Sequence, residues 1–199
     1  MLEEAHHLSY PCVFRRGEDW LMVPESAAAG VVRLYRCARF PRPLGARGRP
    51  AGGRGRGRRH ALRARGRWWM FVNQGVAGSQ RHDELFLYLA ERPEGPWRLH
   101  PQAPIKSDVR GARPAGRPFR WRGQLYRPAQ DCSERYGGEL VFQRVLELTP
   151  TSYREVEASR AGPRWRPGLL ATHTFNHCPG LTVVDALRLR PRLELGGSP

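Results

Sequence analysis

Three carboxylates in this 199-residue chain are candidates for acid–base catalysis. They are Glu25 in the stretch VPES, Asp108 in KSDVR and Asp131 in AQDCS. Two carboxyl groups that face one substrate can act as a general acid and a base. Glu25 follows an aromatic and apolar strand, from which its side chain can reach a pocket or lie in a solvated loop. All three are candidates for catalysis.

Asp108 and Asp131 are also open to structural roles. Asp108 lies among Lys106, Arg110 and Arg113, and paired arginines would keep its pKa low, which suits a base or an anchor better than an acid. Asp131 could instead cap its own loop. Each residue therefore has a catalytic and a structural interpretation.

Five residues are candidates for substrate binding. Guanidinium groups bind phosphate or carboxylate with two parallel hydrogen bonds, so Arg110 and Arg113 could hold an anion, or else form salt bridges within the fold. Gln130 and Tyr136 lie next to Asp131 in sequence and suit the binding of hydroxyl groups. His173 is assigned to the same set.

The sequence predicts no metal and no cofactor. His173, His177 and Cys178 resemble a metal cluster only superficially, because THTFNHCPG has the character of a strand and a turn and no second ligand pair follows. The four cysteines form no CxxC pair. Asp185, in an apolar strand, is expected to pair with an arginine of a neighbouring sheet.

The chain is strongly basic, with 34 Lys and Arg against 18 Asp and Glu and a net charge of +16. Residues 41–66 carry nine arginines, no acidic residue and no aromatic residue, and without them the net charge falls to +7. A segment with so little to bury is expected to be disordered.

Two other interpretations of residues 41–66 remain open. Arg54, Arg56, Arg58 and Arg59 could neutralise the phosphates of a nucleic acid, although no aromatic residue is interleaved for base stacking. Alternatively, the segment is frameshifted. Synonymous codons for residues 43–62 can be chosen so that a shift of one nucleotide encodes an acidic sequence, ending in V-D-A-T-L, in place of the basic one. Nucleotide data whose codons forbid that shift would exclude the frameshift.

The remaining sequence predicts repeated β units. Each unit has a turn with glycine, an aromatic strand, a polar loop and a strand of alternating apolar residues. The units are Val13–Cys37, Arg63–Glu91, Phe119–Leu148 and, less regular, Gly168–Leu189. Corresponding aromatic-strand positions are 48 and 57 residues apart. Repeats of this length, with several strands each, indicate propeller blades, and a sandwich of similar strands is the alternative.

The motifs resemble a known family. The stretches that carry the resemblance are HLSYPCVF with WLMVPES, the long segment Lys106–Gly137, and THTFN with VVDALR. They are similar to the glycoside hydrolase family 43-like five-bladed propeller at the N-terminus of glucosamine inositolphosphorylceramide transferases. The resemblance implies an all-β fold, a partial five-bladed propeller of about four blades, over residues 1–199.

The resemblance also implies a carbohydrate-related module, glycosidase-like or glycan-binding, with a glycan or sugar-containing substrate as its partner. Glycosidase chemistry needs two carboxyl groups beside the scissile bond, and the family places them on the central face of the propeller. The chain resembles the family from its second blade onwards, and GRRHAL stands where an acidic strand is expected. We therefore expect a truncated, catalytically impaired protein. The cysteine pattern, and a sequence without a signal peptide or an apolar run long enough to span a membrane, predict a cytoplasmic location.

Overall fold

The computed structural model describes residues 4–26, 32–37, 45–46, 59–75 and 82–189. These residues form seventeen β-strands and one short 3-10 helix, Pro163–Trp165, with no α-helix among them. No helix in the described ranges is long and apolar enough to cross a membrane.

The strands make consecutive antiparallel sheets in chain order. The first contains β1 (Ser9–Arg16), β2 (Asp19–Glu25), β3 (Tyr35–Cys37) and β4 (Gly45–Ala46). The second contains β5 (Arg59–Ala64), β6 (Arg67–Asn73), β7 (Glu84–Ala90) and β8 (Arg98–Leu99), and β9 (Lys106–Ser107) also pairs with β7.

The third sheet contains β10 (Phe119–Trp121), β11 (Gln124–Asp131), β12 (Glu139–Leu148) and β13 (Tyr153–Ala161). The last strands form two small pairs, β14 (Leu169–Ala171) with β17 (Leu187–Arg188) and β15 (Phe175–Cys178) with β16 (Leu181–Val184). We call these groups the first, second, third and fourth blades. The fold is a partial five-bladed β-propeller of about four blades, as the sequence predicts.

Strand β6 shows why the blades stack. Trp68 packs against Phe14 of the first blade with ring centroids 4.9 Å apart, and Phe71 packs against Tyr153 of the third blade at 5.7 Å. Successive residues of a strand point to opposite faces, so a sheet between two neighbours is apolar on both. Trp69 is buried as well. Both tryptophans of β6 are therefore part of the packing between blades.

The predicted disorder of residues 41–66 does not hold for residues 59–64, which form strand β5. Strand β5 pairs with β6 along its whole length, and its residues 60–62 are buried. Ala61 packs towards the first blade and Leu62 towards the third, which lets a short basic sequence complete the second blade. Residues 47–58 lie outside the described residues.

One buried ion pair lies on the side of the third blade that faces the second. Arg127 on β11 and Glu155 on β13 have side chains 1% and 6% exposed. Arg127 Nη2 donates to Glu155 Oε1 at 2.6 Å, and its Nε donates to Oε2 at 2.8 Å. Tyr153 also donates its hydroxyl to Glu155, and Lys106 lies 3.4 Å away. Burial raises the pKa of Glu155, but Arg127, Tyr153 and Lys106 together lower it by more, so the net pKa lies below the ordinary value.

The variant Glu155→Gln should be strongly destabilised, because it leaves the Arg127 guanidinium buried without a counter-charge. We expect a loss of about 3–5 kcal/mol in the free energy of unfolding at neutral pH, measured by urea denaturation. Glu157→Gln, at a more exposed residue of the same strand, should lose about 0–1 kcal/mol.

The same pair predicts a pH dependence. Because the folded pKa of Glu155 is lowered, its contribution is complete above the unfolded pKa of about 4.3 and is lost as the pH falls through the folded pKa. The difference in unfolding free energy between the wild type and Glu155→Gln should therefore shrink in acid. A difference that is constant with pH would contradict this assignment.

Candidate functional site

The second strands of the first three blades end at one face of the propeller. Their last residues are Glu25, Asn73 and Asp131. Glu25 and Asp131 each pair with the first residue of a neighbouring strand, and Asn73 pairs with the second residue of β7. Arg113 reaches this face from the segment between β9 and β10, where Gln130 N donates to Arg113 O at 2.9 Å. The face is thus built from residues far apart in sequence.

Arg113 lies at the centre of this face and is only 7% exposed. Its Nη1 donates to Asn73 Oδ1 and contacts His82 Nδ1, both at 3.1 Å. Its Nη2 lies 3.5 Å from the hydroxyl of Tyr136, whose ring centroid is 5.1 Å from the guanidinium carbon. Arg113 therefore joins the second and third blades under an aromatic ring.

Tyr136 lies between two histidines. The ring centroids of His82 and His173 are each 5.5 Å from that of Tyr136. Asp185 fixes His173, because its Oδ1 accepts the His173 backbone N–H at 2.9 Å and its Oδ2 binds the ring Nδ1. We call Asn73, His82, Arg113, Tyr136, His173 and Asp185 the central cluster.

The structure brings together four of the five predicted binding residues. Arg113, Tyr136 and His173 are in the cluster, and buried Gln130 supports it by donating to His173 O at 3.0 Å. Gln130 therefore positions its neighbours and is not itself exposed to a ligand. Arg110 lies apart from them, with an exposed side chain that bonds to Asp108.

The predicted catalytic acids are not brought together by direct contact. Asp108 Oδ1 accepts from the backbone N–H and the Nε of Arg110 at 2.9 and 3.1 Å. Asp131 accepts from Ser133, and from Arg160 Nη1 at 2.7 Å. Glu25 is half-buried at the end of β2 and forms no hydrogen bond or ion pair with Asp108 or Asp131, both of which the structure describes.

Both engaged acids are held in the ionised form. Burial raises the pKa of Asp108, but the backbone and side chain of Arg110 lower it below its ordinary value. Burial likewise raises the pKa of Asp131, and Ser133 and Arg160 lower it. A carboxyl group must be protonated to act as a general acid near neutral pH, so neither residue suits that role.

Three members of the central cluster were missed by the sequence reasoning. Asn73 ends its aromatic strand as Glu25 and Asp131 end theirs, and this shared position could have identified it. His82 precedes β7 and carries no such signal. Asp185 was expected to pair with an arginine, but it pairs with His173.

A polar pocket of about 490 Å³ lies beside the central cluster. Its lining includes Ser133, Glu134 and Arg135, which precede Tyr136 in the same loop, together with Asp131 and Arg160. The loop therefore presents Tyr136 to the cluster and its other side chains to the pocket. A ligand with several polar groups could contact both sides of the loop.

The other predicted sites lie elsewhere. Arg54, Arg56 and Arg58 fall outside the described residues, and Arg59 is the first residue of β5; nucleic-acid binding by this segment stays a prediction. Within the described ranges, no group of three or more His, Cys, Asp and Glu residues is placed to hold a metal ion.

The fold is that of glycoside hydrolase propellers. The exo-β-1,3-galactanase of Phanerochaete chrysosporium matches with a TM-score of 0.59 at 12% identity, over 91% of this chain and 44% of that one. A family 43 protein encoded by the Bacteroides ovatus xyloglucan utilisation locus matches with a TM-score of 0.60 at 15% identity, over 92% and 36%. At such identities the likeness shows the fold alone.

The sequence comparisons define the family. Residues 1–164 match the family described as glucosamine inositolphosphorylceramide transferase 1, N-terminal, and the chain belongs to this family. It is 37% identical to glucosamine inositolphosphorylceramide transferase 1 of Oryza sativa subsp. japonica over 169 residues, and 32% identical to that of Arabidopsis thaliana over 192 residues. These matches cover 78% and 86% of this chain, which spans 21% and 24% of the two relatives.

Gly137 tests how tightly the central cluster is built. A Cβ at this position would lie 2.4 Å from the Cβ of His173, and the glycine has φ = +64°. Gly137→Ala should therefore displace His173 and lower the free energy of unfolding by more than the ~1–2 kcal/mol that a left-handed alanine costs.

Gly123→Ala is the matched control, since Gly123 has φ = +78° with nothing within 4 Å of an added Cβ. Chemical denaturation of both variants separates the backbone cost, which they share, from the clash. Equal stabilities would show that His173 is not held against the glycine.

Proposed function

We propose that this chain is a glycan-binding propeller module, catalytically impaired, that holds a sugar at the central cluster without hydrolysing it. The observation that carries the proposal is the convergence of Arg113, Tyr136 and His173, from three separate segments, on one partly open face. Aromatic faces and fixed hydrogen-bonding groups are the two features with which proteins bind sugar rings.

The geometry of the cluster favours binding. Tyr136 is 46% exposed, so one of its faces or edges is available to a ligand, while Arg113 and the histidines restrict the motion of its ring. The backbone around His173 is fixed by Asp185 and Gln130. A site whose side chains are held in place loses little entropy when a ligand binds.

The state of the carboxylates argues against hydrolysis. Hydrolysis by the usual glycosidase route needs one carboxyl group with a raised pKa and a second that acts as base or nucleophile. Asp108 and Asp131 both have lowered pKa values, and their carboxylates accept hydrogen bonds from Arg110 and from Ser133 and Arg160. Glu25, the third predicted acid, forms no hydrogen bond or ion pair with Asp108 or Asp131 in the described structure.

The relatives support a carbohydrate ligand. The curated relatives are named for the transfer of glucosamine to inositolphosphorylceramide, and the solved neighbours include an exo-β-1,3-galactanase and an enzyme crystallised with xylose. This chain spans about a fifth to a quarter of those transferases, and we assign to the propeller a sugar-recognition role associated with such a transferase.

The proposal predicts binding without turnover. Isothermal titration calorimetry with xylotriose, β-1,3-galactotriose and glucosamine should show saturable binding of at least one sugar, weakened tenfold or more in Tyr136→Ala because the aromatic contact is lost. Nitrophenyl glycosides of the same sugars should not be cleaved.

A matched control is Trp121→Ala, which removes an exposed ring on β10 outside the central cluster. It should leave sugar binding unchanged. Cleavage of a glycoside that disappears in Glu25→Gln would overturn the non-catalytic assignment, and failure of every sugar to bind would overturn the proposed function itself.

A further inference from the structure

The first and second strands of the first three blades are joined by equivalent two-residue turns. Residues 17–18, 65–66 and 122–123 form these turns, and the two residues that flank each turn pair with each other. Because the second strands end at the face that holds the central cluster, the turns from which they start lie at the opposite end of the blades. We call this end, with the turns and the adjacent loop 91–97 that follows β7, the turn face.

The acidic residues of the turn face are already paired. Among the described residues, four acids lie in or next to the turns and the loop, and each forms a salt bridge: Glu18 with Arg15, Asp19 with Arg36, Glu91 with Arg67 and Glu94 with Arg16. Glu147, at the same end of β12, lies across the strand pair from Arg154. Five further arginines there are exposed and form no ion pair with a described residue: Arg63, Arg65, Arg92, Arg120 and Arg122. The turn face therefore has an excess of positive charge.

Two of these arginines occupy positions that do not favour arginine. Arg65 and Arg122 are each the first residue of a two-residue turn, with φ = +51° and +48°, and the glycine that follows each has a positive φ as well. Hairpin turns with positive φ at both residues prefer Asn, Asp or Gly at the first position. An arginine at the same unfavourable position of two blades supports a function for its charge.

Arg65 and Arg120 line one hollow between the second and third blades. Its volume is about 140 Å³, and the other residues of its lining are uncharged. Arg120 Nη1 donates to Gly123 O at 3.0 Å, which holds this guanidinium beside the turn. Two guanidinium groups at a hollow without a carboxylate suit the oxygens of a phosphate group.

Two exposed tryptophans lie at the same end of the blades. Trp20 is 38% exposed and Trp121 is 52% exposed. The guanidinium carbon of Arg15 lies 5.7 Å from the centroid of the Trp20 ring, and that of Arg122 lies 6.0 Å from the Trp121 ring. Indole rings beside cations are typical of proteins that bind the headgroup region of a bilayer. A nucleic acid would instead stack its bases on the ring faces, and one face of each ring already carries a guanidinium, which favours a lipid surface.

We propose that the turn face docks on the surface of an anionic lipid bilayer. The unpaired arginines bind the charged headgroups, Arg65 and Arg120 hold one headgroup phosphate at their hollow, and the Trp121 ring enters the headgroup region. The central cluster lies at the other end of the strands and therefore faces away from the bilayer. This role goes beyond sugar recognition and does not depend on it.

The test measures the binding of the full chain to vesicles by sedimentation. Vesicles of equal parts phosphatidylcholine and phosphatidylserine should bind the protein, vesicles of phosphatidylcholine alone should bind it much less, and added salt should weaken the binding. The double variant Arg65→Asn, Arg122→Asn should bind the anionic vesicles about tenfold or more weakly, because each arginine near such a surface contributes a several-fold factor. Since Asn is preferred at these turn positions, the melting temperature of the variant should equal or exceed that of the wild type.

The matched control removes the same charge from the other end of the third blade. Arg164 and Arg166 are exposed and follow β13, whose last residue lies at the end of the blade that faces the central cluster. The double variant Arg164→Gln, Arg166→Gln should keep the affinity of the wild type for anionic vesicles.

A second measurement reports the orientation of the bound protein. Brominated phosphatidylcholine, mixed into the anionic vesicles, quenches the fluorescence of tryptophans that contact the bilayer. Trp121→Phe should lose much of the quenching seen in the wild type. Trp165→Phe should keep it, because it removes a ring that is 54% exposed in the helix after β13, away from the turn face.

The outcomes distinguish a lipid surface from other anions. Equal loss of vesicle binding in the two double variants would show a response to net charge alone and would overturn the turn face as the docking site. Equal binding to neutral and anionic vesicles would overturn the role of the arginines. Binding of duplex DNA that weakens in Arg65→Asn, Arg122→Asn, with no binding to vesicles, would assign the face to nucleic acid and overturn the bilayer. None of these results depends on whether a sugar binds at the central cluster.

Discussion

The second blade of this protein buries both of its faces, and the rest of the structure depends on that constraint. A single antiparallel sheet with two apolar faces cannot be stable alone in water. The two faces of β6 contribute to two separate cores, one shared with the first blade and one with the third. The second blade is therefore held in place by its two neighbours. The polar residue at the end of β6, Asn73, lies outside both cores.

Charge is distributed according to the same constraint. On the face of the third blade that packs against the second, the buried arginine is paired, because an isolated charge between two packed sheets would destabilise them. At the propeller face, where strands end and loops begin, Arg113 forms no ion pair with any residue that the structure describes; its hydrogen-bonding partners are Asn73, His82 and Tyr136. Arg127 holds two strands of the third blade together, whereas Arg113 joins the second and third blades at the propeller face.

The sequence predicted the fold best where a repeated strand pattern also reflects how the strands are buried. The repeating aromatic strands predicted the blades, because a strand buried on both faces reads as a continuous apolar run such as Trp68–Val72. Arg113, Gln130, Tyr136 and His173 were predicted as site residues, and they are neighbours in space. The pairing of Asp185 with His173 was not predictable, since it depends on how the fourth blade turns back on itself, which no local pattern encodes.

The second blade shows how little the packing of a strand demands of its sequence. An acidic strand was expected before Trp68, and β5 stands there with His60 buried against Tyr10 at a ring distance of 5.0 Å. The backbone ladder to β6 needs only extended residues, and the two cores need only small apolar side chains at Ala61 and Leu62. Catalysis would need one particular carboxylate at one position. The packing requirement is therefore weaker than the chemical requirement, because many side chains satisfy the first and only one carboxylate would satisfy the second.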